Sequence, residues 1–257
     1  MRAFLPTVTS VLLLLVAAQA CYHRYLKPSL AKCDAVIAKT RKENPTGYRQ
    51  QANSLVVKMQ QANKAPYAVY IYRRFGYGSK YIANAAAFSH MEVECFYFKK
   101  LLGTEFTYSY NVVRTAPLGS LPGFAPARLT AVVDASQLSE ANGLVKDNCE
   151  DRRLQKIIKK AAKRHWFSLR ARARKMVKLA ASHYGGYWMA HVFVNQKRLG
   201  KIDFYSASSE IFCNFHVKGT LHTLIQTVSD RSLVGQDAEP ETMTGQEFDK
   251  LLRPDLQ

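Results

Sequence analysis

The sequence lacks a hydrophobic run long enough to cross a membrane. The apolar run over residues 11–18 is far shorter than the roughly 20 residues that a transmembrane helix needs. Also missing are the cysteine and histidine spacings of zinc sites and the GxSxG, HExxH and phosphate-binding-loop motifs of familiar enzymes. These absences exclude a multi-pass membrane protein. They leave no motif that predicts a cofactor, a metal or a catalytic centre.

The first twenty residues have the three-part plan of a secretory signal peptide. Arg2 makes the start basic, the apolar run follows, and Ala18, Gln19 and Ala20 form a small-x-small cleavage site. Cleavage leaves 237 of the 257 residues and lowers the formal charge from +18 to about +17. Because 47% of the chain is hydrophobic, the remainder can bury the core of one large domain or two small ones. We therefore expect a secreted protein.

Five cysteines remain after this cleavage, in a compartment that favours oxidation. They allow two disulfides with one thiol left over, and the sequence does not choose among the 15 pairings. The disulfide candidates are Cys33, Cys95, Cys149 and Cys213, and the fifth cysteine is Cys21.

Acidic residues are absent between residues 152 and 202, whereas twelve lysines and arginines lie between residues 152 and 178. Apolar residues recur at helical spacing from Leu154 to Ala162, which predicts an amphipathic basic helix over residues 150–164. A solvated helix face usually mixes charges of both signs, so a face of one sign favours a polyanionic partner. Aromatic residues beside the cations suit stacking on unpaired bases, although ordinary core packing is the alternative for each of them. The candidate RNA-binding residues are Lys156, Lys159, Lys160, Lys163, Arg164, Trp166, Arg170, Arg172, Arg174, Tyr187, Trp188 and His191.

The order of predicted elements favours an α+β protein, in which helices pack on an antiparallel sheet. Helices are predicted within residues 22–64, and strands over residues 67–72, 80–82, 91–95, 128–134, 191–195, 201–204 and 211–213. Residues 69–95 and 191–213 share the same plan of strand, basic turn, second strand, small-residue bend and cysteine, which suggests two tandem units. We divide the chain into a signal peptide (1–20), an N-terminal α+β unit (21–115), a boundary segment (116–148), a second α+β unit with the basic helix (149–217) and an acidic C-terminal tail (218–257). In this tail Thr244 and Glu247 have the spacing of a capping box; a short helix there could fold back on the basic face, but a frayed tail is the preferred interpretation.

Residues 191–213 (HVFVNQKRLGKIDFYSASSEIFC) resemble the C-terminal half of small secreted fungal guanyl-specific ribonucleases. That family has a strand, an Asn turn, Leu-x-Gly, a second strand, an Ala-Ser bend and a final disulfide cysteine. The stretch is still more similar to the ribonuclease-like secreted effectors of powdery mildew fungi, which generally lack the catalytic residues. The resemblance covers 23 residues, or 65 if the helix from Cys149 is included. It implies a microbial ribonuclease-like fold and a role in virulence.

The chemistry of those ribonucleases needs a carboxylate base, a histidine acid and an arginine that faces the phosphate. His191 stands at the arginine position and Phe204 at the histidine position, and no carboxylate lies upstream on the predicted sheet, because residues 152–202 contain none. His183 and His191 could form a different acid–base pair. Glu105, Arg128 and His90 could be assembled into a site in the other half, but nothing in their spacing demands it.

These observations predict a non-catalytic secreted effector that binds RNA or another polyanion, with host ribosomal RNA as one candidate, in the host cytoplasm or nucleus after uptake. The alternatives are an active ribonuclease that uses histidines, a cationic protein that binds membranes or glycans, and a fold that displays a surface to a host protein. No metal and no cofactor is expected.

Overall fold

The computed structural model describes residues 30–45, 47–75, 85–100, 106–121, 131–134, 147–194, 204–208, 212–228, 240–244 and 247. Within these residues the helices are α1 (Leu30–Glu43), α2 (Tyr48–Asn63), α3 (Arg152–Arg164) and α4 (Leu169–Tyr184). The strands are β1 (Tyr67–Phe75), β2 (Ala85–Phe88), β3 (Glu92–Lys100), β4 (Phe106–Arg114), β5 (Ala131–Asp134), β6 (Tyr187–Phe193), β7 (Phe204–Ser208), β8 (Phe212–Val217), β9 (Thr220–Val228) and β10 (Glu241–Thr244).

The strands form two five-stranded sheets in which every pair of neighbours is antiparallel. The first sheet has the order β3-β4-β1-β7-β5, and the second has the order β10-β2-β6-β9-β8. Helices packed on antiparallel sheets confirm the predicted α+β class.

The two sheets meet face to face between the helix layers. Successive side chains of a strand point to opposite faces, so Val69 faces the helices and Tyr70 faces away from them. The Tyr70 hydroxyl lies 3.6 Å from Sδ of Met189 and 3.4 Å from Nε2 of His191, both on β6 of the second sheet. The layers therefore run helix pair, sheet, sheet, helix pair.

A separate apolar core fills the space between each helix pair and its sheet. The first core lies between the helix pair α1 and α2 and the side of β1 and β4 that faces these helices. It includes Ile37, Leu55, Val56, Met59, Val69, Ile71 and Val112. The second core lies between the helix pair α3 and α4 and the side of β6 that faces these helices. It includes Leu154, Ile158, Met176, Val177, Trp188, Ala190 and Val192. Because both faces of the central strands β1 and β6 are covered, residues 67–71 of β1 and residues 188–193 of β6 are buried.

The link from α4 to β6 depends on glycine. Gly186 has φ +73°, and a Cβ atom there would come within 1.8 Å of the Val228 carbonyl oxygen. A larger residue would push β6 away from β9, which pairs with it.

The C-terminal region differs from the predicted acidic tail. Thr220–Val228 is a buried strand between β6 and β8, and Glu241–Thr244 extends the same sheet beside β2. The partner of β10 is β2, far earlier in the chain, which local sequence patterns cannot show. Strand β9 also pairs with the distant β6, but it forms a hairpin with the adjacent β8, a local signal that sequence analysis missed. The strand predicted over residues 128–134, inside the boundary segment, is described as β5 from Ala131 to Asp134, and it pairs with β7.

Other boundaries shift by a few residues or lie outside the described part of the chain. The strand predicted at residue 191 begins at Tyr187, and the one predicted over 201–204 is described from Phe204 onwards. The signal peptide, Cys21, the strand predicted over 80–82, Glu105 and Arg128 lie outside the described residues.

A disulfide joins Cys149 to Cys213 and ties the segment before α3 to β8. Beside it, Asn148 and Asn214 form a two-way backbone bridge. Cys95, buried in β3, is disulfide-bonded as well. The side chain of Cys33 lies outside the described residues. The Cys149–Cys213 pair confirms two of the disulfide candidates.

Candidate polyanion-binding face

Side chains that contact each other across the hairpin hold α3 and α4 together. The Asp151 carboxylate caps α3 by accepting the N–H groups of Arg153 and Leu154, and it also accepts the Tyr184 hydroxyl at 2.7 Å from the end of α4. Partial burial opposes ionisation of Asp151, but the Tyr184 hydroxyl and the two N–H donors outweigh it and lower the pKa of this carboxyl. Burial and the bond to Asp151 raise the pKa of Tyr184 to about 12. The start of α3 is therefore fixed to the end of α4.

The outer face of α3 is entirely cationic. Its apolar residues are buried at positions 154, 157, 158, 161 and 162, which confirms the predicted amphipathic helix. All of its lysines and arginines are exposed: Arg152, Arg153, Lys156, Lys159, Lys160, Lys163 and Arg164. We call these seven residues the basic face. Among the described residues, no salt bridge to Lys156, Lys160, Lys163 or Arg164 is formed, so the packing of the fold does not use their charge.

The turn between α3 and α4 carries an exposed aromatic pair. Trp166 is 61% exposed and Phe167 is 86% exposed, and their ring centroids lie 4.3 Å apart at a tilt of 48°. The sequence indicated Trp166 as a stacking residue, and its exposure allows that role. Phe167 was not among the candidate site residues, although its position next to Trp166 in a basic segment was a usable signal.

Arg172 does not belong to this surface, contrary to the sequence prediction. Its side chain is buried, with Nη2 donating to the Trp166 carbonyl at 2.8 Å and Nη1 donating to Nε2 of His222 at 3.2 Å. Burial lowers the pKa of Arg172, and burial together with the charge of Arg172 lowers the pKa of His222 to about 4. This arginine holds the aromatic turn in place from inside the protein.

Trp188 and His191 are also corrections to the predicted site. Trp188 is fully buried in the core beneath α3 and α4, where Nε1 donates to the Gly185 carbonyl at 2.8 Å. His191 is buried between the sheets, and burial lowers its pKa to about 4. Neither side chain can reach a ligand at the surface, because the central strand that carries them is covered on both faces. Tyr187, at the start of that strand, is half-buried.

Three further predicted cations are partly occupied by the protein itself. Arg170 donates to the Thr242 carbonyl at 2.9 Å and pairs with the Glu247 carboxylate at 3.0 Å. The ammonium of Lys159 lies 4.8 Å from the centre of the Phe215 ring. Arg174 is exposed on α4 and makes an interaction of its own.

The contact to Glu247 brings this point of the C-terminal region to the start of α4, and not to the basic face. The later residues of the short helix considered in sequence analysis lie outside the described residues. Thr244 and Glu247 also form the predicted capping box, with each backbone N–H donating to the other's side chain.

A second polar cluster lies at one end of the first sheet. The Arg114 guanidinium is buried between the carboxylates of Glu92 and Glu94, and Glu94 accepts the Tyr67 hydroxyl at 2.6 Å. Burial and the charge of Arg114 lower the pKa of nearby His90. Two carboxylates already neutralise this arginine, so the cluster has no excess positive charge for a phosphate. Sequence analysis missed the cluster, because the pairing of Glu92 with Arg114 depends on strand register.

The histidines of the ribonuclease alternative are differently placed. His183 is exposed near the end of α4, whereas His191 is buried and shielded from solvent. A general acid or base must exchange its proton with a substrate, which a sealed side chain cannot do. Within the described residues, no helix is long and apolar enough to span a bilayer, and no cluster of three potential metal ligands occurs.

Comparison with known proteins finds no matching protein family, no matching characterised protein and no matching solved structure.

Proposed function

We propose that this chain is a secreted, non-catalytic effector-type protein whose basic face binds RNA, with host ribosomal RNA as one candidate. The observation that carries the proposal is the basic face itself, seven exposed cations on one helix with no acidic residue between positions 152 and 202. Cations held on a rigid helix can displace counterions from a phosphate backbone, and this release supplies the binding free energy.

The aromatic pair favours RNA with unpaired bases. Base stacking on an exposed aromatic ring contributes about 1–3 kcal/mol per base and does not depend on sequence. Trp166 and Phe167 lie in the turn after α3, one residue beyond its last cation, so an RNA strand whose phosphates contact the basic face can place a base on these rings.

The ribonuclease-like assignment and the two tandem units belong to the same proposal. Their support is the motif over residues 191–213, the packing of α3 on a sheet that contains β6 and β8, and the disulfide from Cys149 to Cys213. Action in the host cytoplasm or nucleus, and a role in virulence, follow from the effector resemblance alone.

A salt series tests the binding proposal. The mature protein (residues 21–257) is titrated with a fluorescent single-stranded RNA at several salt concentrations, and the RNA is then examined on a denaturing gel. We expect binding that weakens steeply with salt, with the RNA left intact. Cleaved RNA would support the ribonuclease alternative instead.

Two charge-reversal variants locate the interface. K160E/K163E changes the basic face, whereas K39E/K42E changes two exposed lysines with the same spacing on α1. Both lower the net charge equally. For single-stranded RNA each lost phosphate contact reduces the slope of log K against log salt by about 0.7, so K160E/K163E should reduce it by about 1.4. K39E/K42E should leave the slope unchanged, and equal losses in the two variants would contradict binding at the basic face.

The exposed aromatic pair beside cations is also the one feature that favours a membrane-surface alternative. Leakage of vesicles that contain anionic lipid, without RNA binding, would support that function.

A further inference from the structure

The two sheets have the same internal order once each of the strands β1–β5 is matched with the strand five positions later. Under this matching the order β3-β4-β1-β7-β5 becomes β8-β9-β6-β2-β10, which is the order of the second sheet read from its other edge. Five strands can be ordered in a sheet in many ways, so an agreement at all five positions is a property of the fold.

The equivalence extends beyond the sheets. The pair α1 and α2 leads into the central strand β1, and the pair α3 and α4 leads into the central strand β6. Cys95 and Cys213 are buried, disulfide-bonded cysteines in the matched strands β3 and β8. Helix α1 contacts β3 as α3 contacts β8.

One strand of each half lies in the sheet of the other half. β7 follows α4 in the chain but lies between β1 and β5, while β2 precedes α3 but lies between β6 and β10. In the part of the chain that the structure describes, β7 is the only strand that pairs with β5, and β2 is the only strand that pairs with β10. Unpaired strand edges expose backbone donors and acceptors, so neither half can complete its own sheet.

We propose that the chain is a fused, strand-exchanged pair of equivalent halves, in which each half binds the other through β2 and β7. The partner that fits each incomplete sheet is the matched strand of the other half, or the same strand from a second copy of this chain. Exchange of an identical element between protomers is a known route to dimers, and here one chain supplies both protomers. The inference rests on the strand order and is independent of RNA binding.

No disulfide can join the halves. Cys149 and Cys213 pair within the second half, and the other three cysteines all lie at position 95 or earlier. If the chain is cut between the halves, only non-covalent contacts can keep the fragments together.

The test uses the full mature chain with a specific protease site, flanked by a flexible linker, inserted within residues 135–146. After folding and cleavage, we expect both fragments to elute together in size-exclusion chromatography under native conditions and to separate in denaturant without reductant. Two folded fragments that elute separately under native conditions would overturn the proposal.

Engineered cysteines identify the strand that is exchanged. Ala87 of β2 lies opposite Ala190 of β6, so A87C/A190C should form a disulfide that links the cleaved fragments in denaturant. A86C/A190C is the matched control, because it is one residue out of register and places the two thiols on opposite faces of the sheet. V69C/A207C tests β7 in the other sheet in the same way. The exchange of these strands would be contradicted if the variants fold but neither in-register pair links the fragments. It would also be contradicted if the control pair links them equally well.

Discussion

Two buried histidines make the stability of this protein sensitive to acid. His191 lies between the sheets and His222 lies under the aromatic turn, and burial lowers the pKa of each from 6.5 to about 4. Between pH 6.5 and pH 4 the unfolded chain therefore binds more protons than the folded chain. Stability must rise with pH in this window and fall as the pH drops through it.

The size of the effect follows from the shift. A pKa difference of about 2.5 corresponds to about 3 kcal/mol for each histidine, since one unit is worth 1.36 kcal/mol. The two together approach about 6 kcal/mol, which is comparable with the whole free energy of unfolding of a typical domain. We expect the protein to lose most of its stability between pH 7 and pH 4.

The variant H191F isolates one of the two contributions. Phenylalanine suits a site formed by Tyr70, Phe88 and Phe193, but it removes the nitrogen that faces the Tyr70 hydroxyl. The loss of that bond should cost about 1 kcal/mol at pH 7. At pH 4 the variant avoids the histidine penalty of about 3 kcal/mol and should be more stable than the natural protein by about 2 kcal/mol.

Guanidinium denaturation at pH 7, 5.5 and 4, with the disulfides intact, measures these differences. H183Q is the control, because it also removes one histidine but changes an exposed position outside the buried site. The reasoning would be refuted if H191F lost as much stability between pH 7 and pH 4 as the natural protein does.

Three further changes test the helix hairpin and its turn. D151A removes the cap of α3 and its contact with α4, and should lower the free energy of unfolding by about 1–2 kcal/mol in denaturant titrations; no change would contradict the capping role. C149S/C213S opens a link between residues 64 apart and should lower the same quantity by roughly 4 kcal/mol, as judged against the oxidised protein. W166A/F167A should weaken binding to single-stranded RNA but not to duplex RNA, with stability unchanged because both rings are exposed; equal weakening for both RNAs would contradict base stacking.

The sequence predicted the elements whose signals are local. Helix α3 was predicted because its apolar positions follow helical spacing and carboxylates precede its first turn, and the structure has this helix from Arg152 to Arg164. The strand that begins at Tyr67 was predicted from β-branched and aromatic residues, and β1 begins there. Each pattern lies within one helix or one strand, so no distant part of the chain was needed to recognise it.

Features that depend on distant partners were missed. The exchange of β2 and β7 is invisible in local patterns, since an exchanged strand has the same alternation as one that pairs within its own half. Sequence analysis also assigned Arg172 and Trp188 to the surface because their neighbours are basic or aromatic. Whether either residue is buried depends on strands such as β9, which lie far from it in the sequence.

The cations that the fold needs can be separated from those that it does not. Arg41, Arg114 and Arg172 are each held by partners inside the protein: tyrosine rings and a hydroxyl, two carboxylates, or a carbonyl and a histidine. Among the described residues, no salt bridge holds four cations of the basic face, Lys156, Lys160, Lys163 and Arg164. Like charges on one helix repel each other and oppose folding. The repulsion between these cations, beside two exposed aromatic rings, lowers the free energy of unfolding. The packing of the fold does not offset this loss. The proposed polyanionic partner would offset that loss, because binding would relieve the repulsion and use the charges together.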